Sequence, residues 1–410
     1  MKRYVIIGGG PAGINAASAI RARDPEGQIL VLDRDQDPPY YRTELDTYIG
    51  GSTSDADLPL HPQSYYPDQR ITIRLRTVVT KLLPNERSVE VEGGERVSYE
   101  SLLLAPGSLP LIVPWPGGQV SGVITIRTWD DARRVVRHVT ENDRTVLVVG
   151  GGVLGLILAE GIRQRGRPVA LLEREPRLWA PVLDEVASDL IRARLVEAGI
   201  RPFLREEVAE VFGEGGRVVG VRTTKGQRIE TALVVVAIGV RPDIEFLRGS
   251  GIRTDRGIFI DHEFRTNVQG VFAAGDAVQA YDPLTGQFRV VTNWNNAAEQ
   301  GKLVGAFMAG GGEPYRGVIL ANTESFCGTR VTVLGLTGPA SDGALVLVGL
   351  DQAKGIYRKL MLRQDKLVGA LLVGNTSGEG MMRKWILEGK PTSSTELKSK
   401  FLTGLVIEEK

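Results

Sequence analysis

Gly8, Gly10 and Gly13 follow the apolar run Tyr4-Val5-Ile6-Ile7 and open onto small residues, Pro11, Ala12, Ala16, Ala17 and Ala19. That order predicts a buried strand that breaks at a glycine turn and restarts as a helix. Gly8 permits the tight turn, Gly10 lets the backbone approach a pyrophosphate, and Gly13 lets the helix press on the strand. The helix N-terminus at Pro11 and Ala12 then offers unpaired N–H groups to phosphate. A second strand over 29–32 ends at Asp33, placed to accept hydrogen bonds from ribose hydroxyls. Strand, turn, helix and acid together read as a dinucleotide cradle.

The pattern returns. A β-branched strand over 144–149 runs into Gly150, Gly152 and Gly155, with Val153 and Leu154 opening the next helix, and a further strand over 169–172 ends at Glu173. Glu173 should accept bonds from a free ribose 2′-hydroxyl and repel a 2′-phosphate, which favours NADH. Arg174 and Arg177 stand close enough in sequence to keep NADPH as an alternative.

The elements that position these residues also repeat. Each cradle is followed by a strand meander, over 74–99 in the first half and 208–230 in the second. Each meander leads to a buried strand with a glycine exit, at Ala105-Pro106-Gly107 and at Ala237-Ile238-Gly239. A proline-rich link over 110–116 separates the two units. From about residue 320 the chain reads as strands over 330–336, 344–350, 357–363 and 367–373, with a helix near 379–388. This is an α+β pattern.

Composition narrows the chemistry. With 410 residues, more than one domain is expected; 50 Lys and Arg against 49 Asp and Glu remove any general case for nucleic acid or an anionic membrane. One cysteine, Cys327, excludes an intrachain disulfide and a two-cysteine redox centre, and three scattered histidines make a metal site unexpected. A strand beginning almost at Met1 leaves no room for a signal peptide, and no apolar run has membrane-helix length, so the cytoplasm is the expected location.

The segments Gly257-Ile258-Phe259-Ile260-Asp261, Gly270-Val271-Phe272-Ala273-Ala274-Gly275-Asp276-Ala277 and Ala237-Ile238-Gly239-Val240-Arg241-Pro242 join the two cradles in a recognisable order. With them the chain resembles the pyridine-nucleotide/FAD oxidoreductases, in the branch of NADH:rubredoxin reductases, ferredoxin reductases, NADH oxidases and nitrite reductase flavin domains. The resemblance implies an α/β fold of two Rossmann-like domains, the NAD domain inserted in the FAD domain, plus a small C-terminal α+β interface domain. It divides the chain into an FAD-binding part over 1–112, an NAD(P)H-binding domain over 113–243, a second FAD-binding part over 244–318 and the interface domain over 319–410. It assigns FAD to Gly8, Gly10, Pro11, Ala12, Gly13, Asp33, Arg42, Ala105, Gly107, Gly275, Asp276, Trp294 and Ala297. Gly150, Gly152, Val153, Leu154, Gly155, Glu173 and Gly239 would hold NAD. Asp276 would bond the ribityl chain, and the helix from Trp294 would aim its N-terminus at the flavin pyrimidine edge, stabilising the negative charge of the reduced ring.

The chain also departs from the family. The redox cysteine of the peroxidases and disulfide reductases is absent from 42–51, so Cys327 is read as packing. A family lysine and glutamate beside the flavin are Thr47 and Ile157 here; Glu160, one turn on, is the only weak catalytic candidate. Val153 replaces a gating aromatic, and Pro106 a threonine. The resemblance then implies an FAD enzyme taking hydride from NADH and passing electrons to a small iron–sulfur carrier, rubredoxin or ferredoxin, or else to a small-molecule acceptor such as dioxygen or quinone. A redox sensor that does not turn over is the reading from another class. A homodimer stays open, and Arg42, Arg316, Arg330, Arg358, Lys359, Arg383 and Lys384 are candidates for a basic docking patch.

Overall fold

A computed structural model describes residues 1–338 and 344–409. The chain forms two compact units, the first from Met1–Thr43, Asp55–Leu109 and Val240–Val318, the second from Glu44–Ser54, Pro110–Gly239 and Ile319–Lys410.

In the first unit five parallel strands lie in the order Val271–Ala273, Ser101–Leu104, Arg3–Ile7, Gln28–Leu32, Ile71–Arg74. Their near-continuous apolar sequences suit strands covered on both faces. The helix Pro11–Arg23 packs against Trp294–Met308 with almost no side chain between them: a Cβ on Gly301 would strike the Ala12 carbonyl, and one on Gly305 the Ala16 carbonyl. The meander Val79–Leu83, Ser88–Val91, Arg96–Ser98 forms a separate sheet. The sequence reads one strand from 74 to 83, but the chain breaks at Arg76, whose φ is 51°. There the N–H groups of Arg76 and Thr77 bond the carbonyls of Asp35 and Asp33 at 2.9 and 2.8 Å, tying down the acid-bearing loop instead of extending the strand.

The second unit repeats this sheet as Ile200–Leu204, Val169–Glu173, Val146–Val149, Leu233–Val236, Val123–Thr125, again all parallel. One edge strand differs in origin. Val123–Thr125 comes before the cradle, whereas its counterpart Val271–Ala273 comes last among the strands of its sheet, after the chain has passed through the second unit. A meander, Val208–Glu214, Arg217–Thr223 and Arg228–Glu230, covers the sheet through Val211, Val221, Leu147 and Val236. The unit ends in a six-stranded antiparallel sheet with the helix Glu379–Glu388. Sequence reading misses three of its elements: the flanking strands Ala321–Phe326 and Val406–Glu409 and the helix Ser394–Phe401. Ala321–Phe326 is mostly polar and exists because all six of its residues pair with Thr329–Gly335. Among the described residues, no helix is long and apolar enough to cross a membrane.

Candidate functional site

The two cradles share their backbone geometry. Gly8 takes φ 101° and Gly150 φ 111°, and their N–H groups each bond a carbonyl of the next strand, Leu32 and Leu172, at 2.8 Å. A Cβ on Gly8 would run into the Ala105 carbonyl and one on Gly150 into Ala237; on Gly13 and Gly155 it would strike the carbonyls of Gly8 and Gly150. Sterics therefore demand glycine at these four positions. Gly10 and Gly152 are different, because a Cβ there would meet nothing within 4 Å. Open space in front of a helix N-terminus whose first turn carries no acid is what a pyrophosphate requires.

The acids behave alike too. Asp33 accepts from Gly9 N–H at 3.0 Å and Asp35 N–H at 3.2 Å; Glu173 accepts from Gly151 N–H at 2.5 Å and Glu175 N–H at 2.8 Å. Each carboxylate thus straps its glycine loop to the strand end. Burial pushes the Asp33 carboxyl above the usual range, against the lowering effect of the Asp35 N–H and of Arg42. Arg42 bonds Tyr40 Oη at 2.7 Å and Asp35 Oδ2 at 3.1 Å, and Tyr40 donates to the same Asp35 oxygen at 2.8 Å. Burial works against the Arg42 charge, and Tyr40, Asp35 and Asp33 outweigh it. The pair Asp35 and Tyr40 escaped sequence reading, although an acid two residues after Asp33 and a tyrosine two before Arg42 were the available signal.

The exit turns complete the first cradle. Gly107 takes φ 76° and its carbonyl accepts from Asp243 N–H at 3.1 Å. Gly275 takes φ 81°; its N–H bonds Gln300 Oε1 at 2.7 Å, and Asp276 accepts from Ser108 Oγ at 3.0 Å. The helix Trp294–Met308 starts at an Asn293 cap, which accepts from Asn296 N–H at 3.1 Å, and has no acid in its first turn. The rings of Trp294 and Tyr41 lie 5.9 Å apart, and Ala297 is buried. In the second unit Gly239, at φ 117°, accepts from Leu111 N–H at 3.0 Å. Near Glu173, Arg177 spends its guanidinium on the carbonyls of Leu183 and Ala180, both at 2.9 Å, and Arg174 pairs with Glu175 at 3.3 Å.

Several other candidates have different work. Glu160 accepts from Cys327 N–H at 2.7 Å and from Gln164 Nε2 at 3.3 Å, so it braces the hairpin that carries Cys327. Burial, with Glu160 nearby, pushes the Cys327 thiol up to about 12, which makes it an inert packing residue. Thr47 Oγ1 bonds within its own helix start, to the Glu44 carbonyl at 2.9 Å, and to Thr53 Oγ1 at 2.7 Å. Three members of the expected docking patch prove unavailable. Arg358 is buried and spent on Phe401, Asn375 and Ser377, Lys359 is buried against Thr337, Gly338 and Asp184, and Arg42 is held by Asp35. Arg330 pairs with Glu379 at 2.9 Å and Lys384 with Glu388 at 3.9 Å. These two pairs lie at the surface, so of the seven candidates Arg42, Arg358 and Lys359 are the ones spent inside the fold.

The sequence profile of the pyridine nucleotide-disulphide oxidoreductases matches residues 2–301, and that of the rubredoxin NAD+ reductase C-terminal domain matches 326–390. The chain is 31% identical over 311 residues to a rubredoxin-NAD(+) reductase of Pseudomonas putida, covering 76% of this chain and 80% of that one. It is 30% identical over 405 residues to the NADH-dependent phenylglyoxylate dehydrogenase subunit epsilon of Aromatoleum evansii, covering 98% and 94%. Among solved structures, a ferredoxin reductase from Rhodopseudomonas palustris superposes with a TM-score of 0.88 at 25% identity, covering 96% of each chain.

Proposed function

This chain belongs to the pyridine nucleotide-disulphide oxidoreductase family, and from that premise we propose that it takes hydride from NADH at an FAD and passes the electrons to a small iron–sulfur carrier in the cytoplasm. The observation that carries the reading is the doubled cradle, with open space at Gly10 and Gly152 and nowhere else among its glycines. When bound, FAD supplies the conversion from a two-electron donor to one-electron acceptors. The residues of the chain do the positioning. Gly8, Gly10, Pro11, Ala12 and Gly13 would hold the flavin pyrophosphate, Asp33 its ribose, and Arg42 with Ala105 and Gly107 the walls of that cleft. Gly275 and Asp276 would hold the ribityl chain. The helix start at Trp294 and Ala297 would face the pyrimidine edge with its N–H groups. Gly150, Gly152, Val153, Leu154, Gly155, Glu173 and Gly239 would hold NAD. Hydride transfer between stacked rings asks for orientation rather than a protein acid or base, which suits a chain whose one weak candidate, Glu160, is bonded elsewhere. Glu173 itself, which would accept from a free 2′-hydroxyl and repel a 2′-phosphate, and Arg177, spent on carbonyls, make NADH the donor that suits.

Anaerobic mixing of the FAD-loaded protein with NADH tests this directly. Bleaching of the flavin within seconds, followed by faster reoxidation with rubredoxin or ferredoxin than with dioxygen or quinone, is the expected result. Reduction over many minutes would favour the sensor reading instead. The likeness to the phenylglyoxylate dehydrogenase subunit, which extends over nearly the full length of both chains, favours a second reading: an NAD-linked subunit of a larger dehydrogenase. That version predicts faster NAD+ reduction by the reduced flavin than flavin reduction by NADH.

A further inference from the structure

We infer that the first unit carries another small-molecule site, lined by none of the cradle residues, which takes a small aromatic molecule bearing an N–H or O–H donor and no negative charge. A cleft of about 320 Å³ opens between residues 260–262, the hairpin Val278–Asp282 and Gln287–Arg289, and the segment 315–317. Its walls are mainly apolar. Tyr281 and Phe288 are cross-strand partners on that hairpin, with rings 5.9 Å apart and inclined at 66°, and Phe288 also meets Phe259 at 5.6 Å. Both rings are partly left in water, at 38% and 47% exposure. A flat ligand would cover them.

The slot is already formed. Asp282, 1% exposed, accepts from Arg289 at 3.0 Å and from Leu284 N–H at 2.8 Å, which closes the hairpin, and Val318 N–H bonds the Tyr281 carbonyl at 2.8 Å. The far wall is Tyr315, whose hydroxyl donates to Asn296 at 2.9 Å and accepts from Gln300 at 3.1 Å. Preorganised aromatic walls lower the ordering cost of binding.

Its polar groups select the ligand. His262 Nδ1 lies 3.1 Å from the Tyr315 carbonyl, which can only accept, so Nδ1 is the donor in that bond and holds the ring against the cleft wall. Asp261 uses Oδ1 to take the N–H groups of Glu263 and Arg265, at 2.8 and 2.9 Å, and Oδ2 has no hydrogen-bond partner among the described residues. A carboxylate oxygen beside two aromatic faces calls for a donor-bearing ring and repels another carboxylate.

Calorimetric titration of the protein as purified, with indole, tryptamine and benzoate as probes, tests the site. Saturable binding of indole, tighter binding of tryptamine and none of benzoate are expected. Phe288→Ala, at a half-exposed position that folding tolerates, should weaken tryptamine at least tenfold, and Asp261→Asn should remove the advantage of tryptamine over indole. Absence of saturable heat with either donor, or affinity unchanged in Phe288→Ala, would overturn the inference. The measurement uses neither NADH nor an electron acceptor, so it stands apart from the hydride-transfer test.

Discussion

At the scale of single residues, the glycines of each cradle divide into two physical classes. Gly13 has no room for a Cβ because the Gly8 carbonyl occupies that space, whereas Gly10 faces nothing. Gly13→Ala should therefore lower the stability of the flavin-free protein by about 1–3 kcal/mol through overpacking against backbone. Gly10→Ala should leave that stability within ~0.5 kcal/mol, yet purify with little FAD, since only the ligand needs the space. Chemical denaturation of both apo variants, with flavin content by absorbance, separates the two effects. Equal loss of stability in the two would show that the space before Gly10 has no functional reason.

At the scale of elements, the helix Leu45–Gly50 and the strand Ala321–Phe326 share an electrostatic strain that neither shows alone. Burial, with the charges of Glu44 and Glu160 adding, pushes Asp46 up to about 6. Burial, with Asp46 and Glu44 adding, pushes Glu324 up to about 7. A carboxyl whose folded pKa lies above its unfolded one binds more protons when folded, so stability is highest below that range and falls as pH rises from about 4 to about 7. Asp46→Asn and Glu324→Gln should each add about 1 kcal/mol at pH 8, after allowance for solvent screening, and little at pH 4. Melting curves at the two pH values check the sign; a larger gain at pH 4 would contradict it.

For the whole molecule, two compact units with separate cores imply separable unfolding. Each nucleotide should protect its own unit by mass action, by about 2.7 kcal/mol at a hundred times its Kd. Scanning calorimetry should accordingly show FAD raising one component and NAD+ the other. A single transition raised equally by both ligands would mean that the units melt as one body.

How much of this was written along the chain depended on the range of the interactions. The cradles, their acids, the repeat and the helix Glu379–Glu388 were legible because a glycine turn, an apolar strand or an amphipathic helix is specified by residues within about a dozen positions of one another. Ala321–Phe326 was not, since its polar residues become a strand only through pairing with a neighbour. The fate of the charges was equally hidden: Arg358, Lys359 and Arg177 look like free surface cations in sequence and prove to be spent on internal oxygens. The chain's own order thus determined the fold family and the position of the two glycine cradles. Which side chains remain available for a partner, and the aromatic cleft around Tyr281 and Phe288, were decided only when distant segments closed on each other, because burial and charge pairing are properties of the packed molecule.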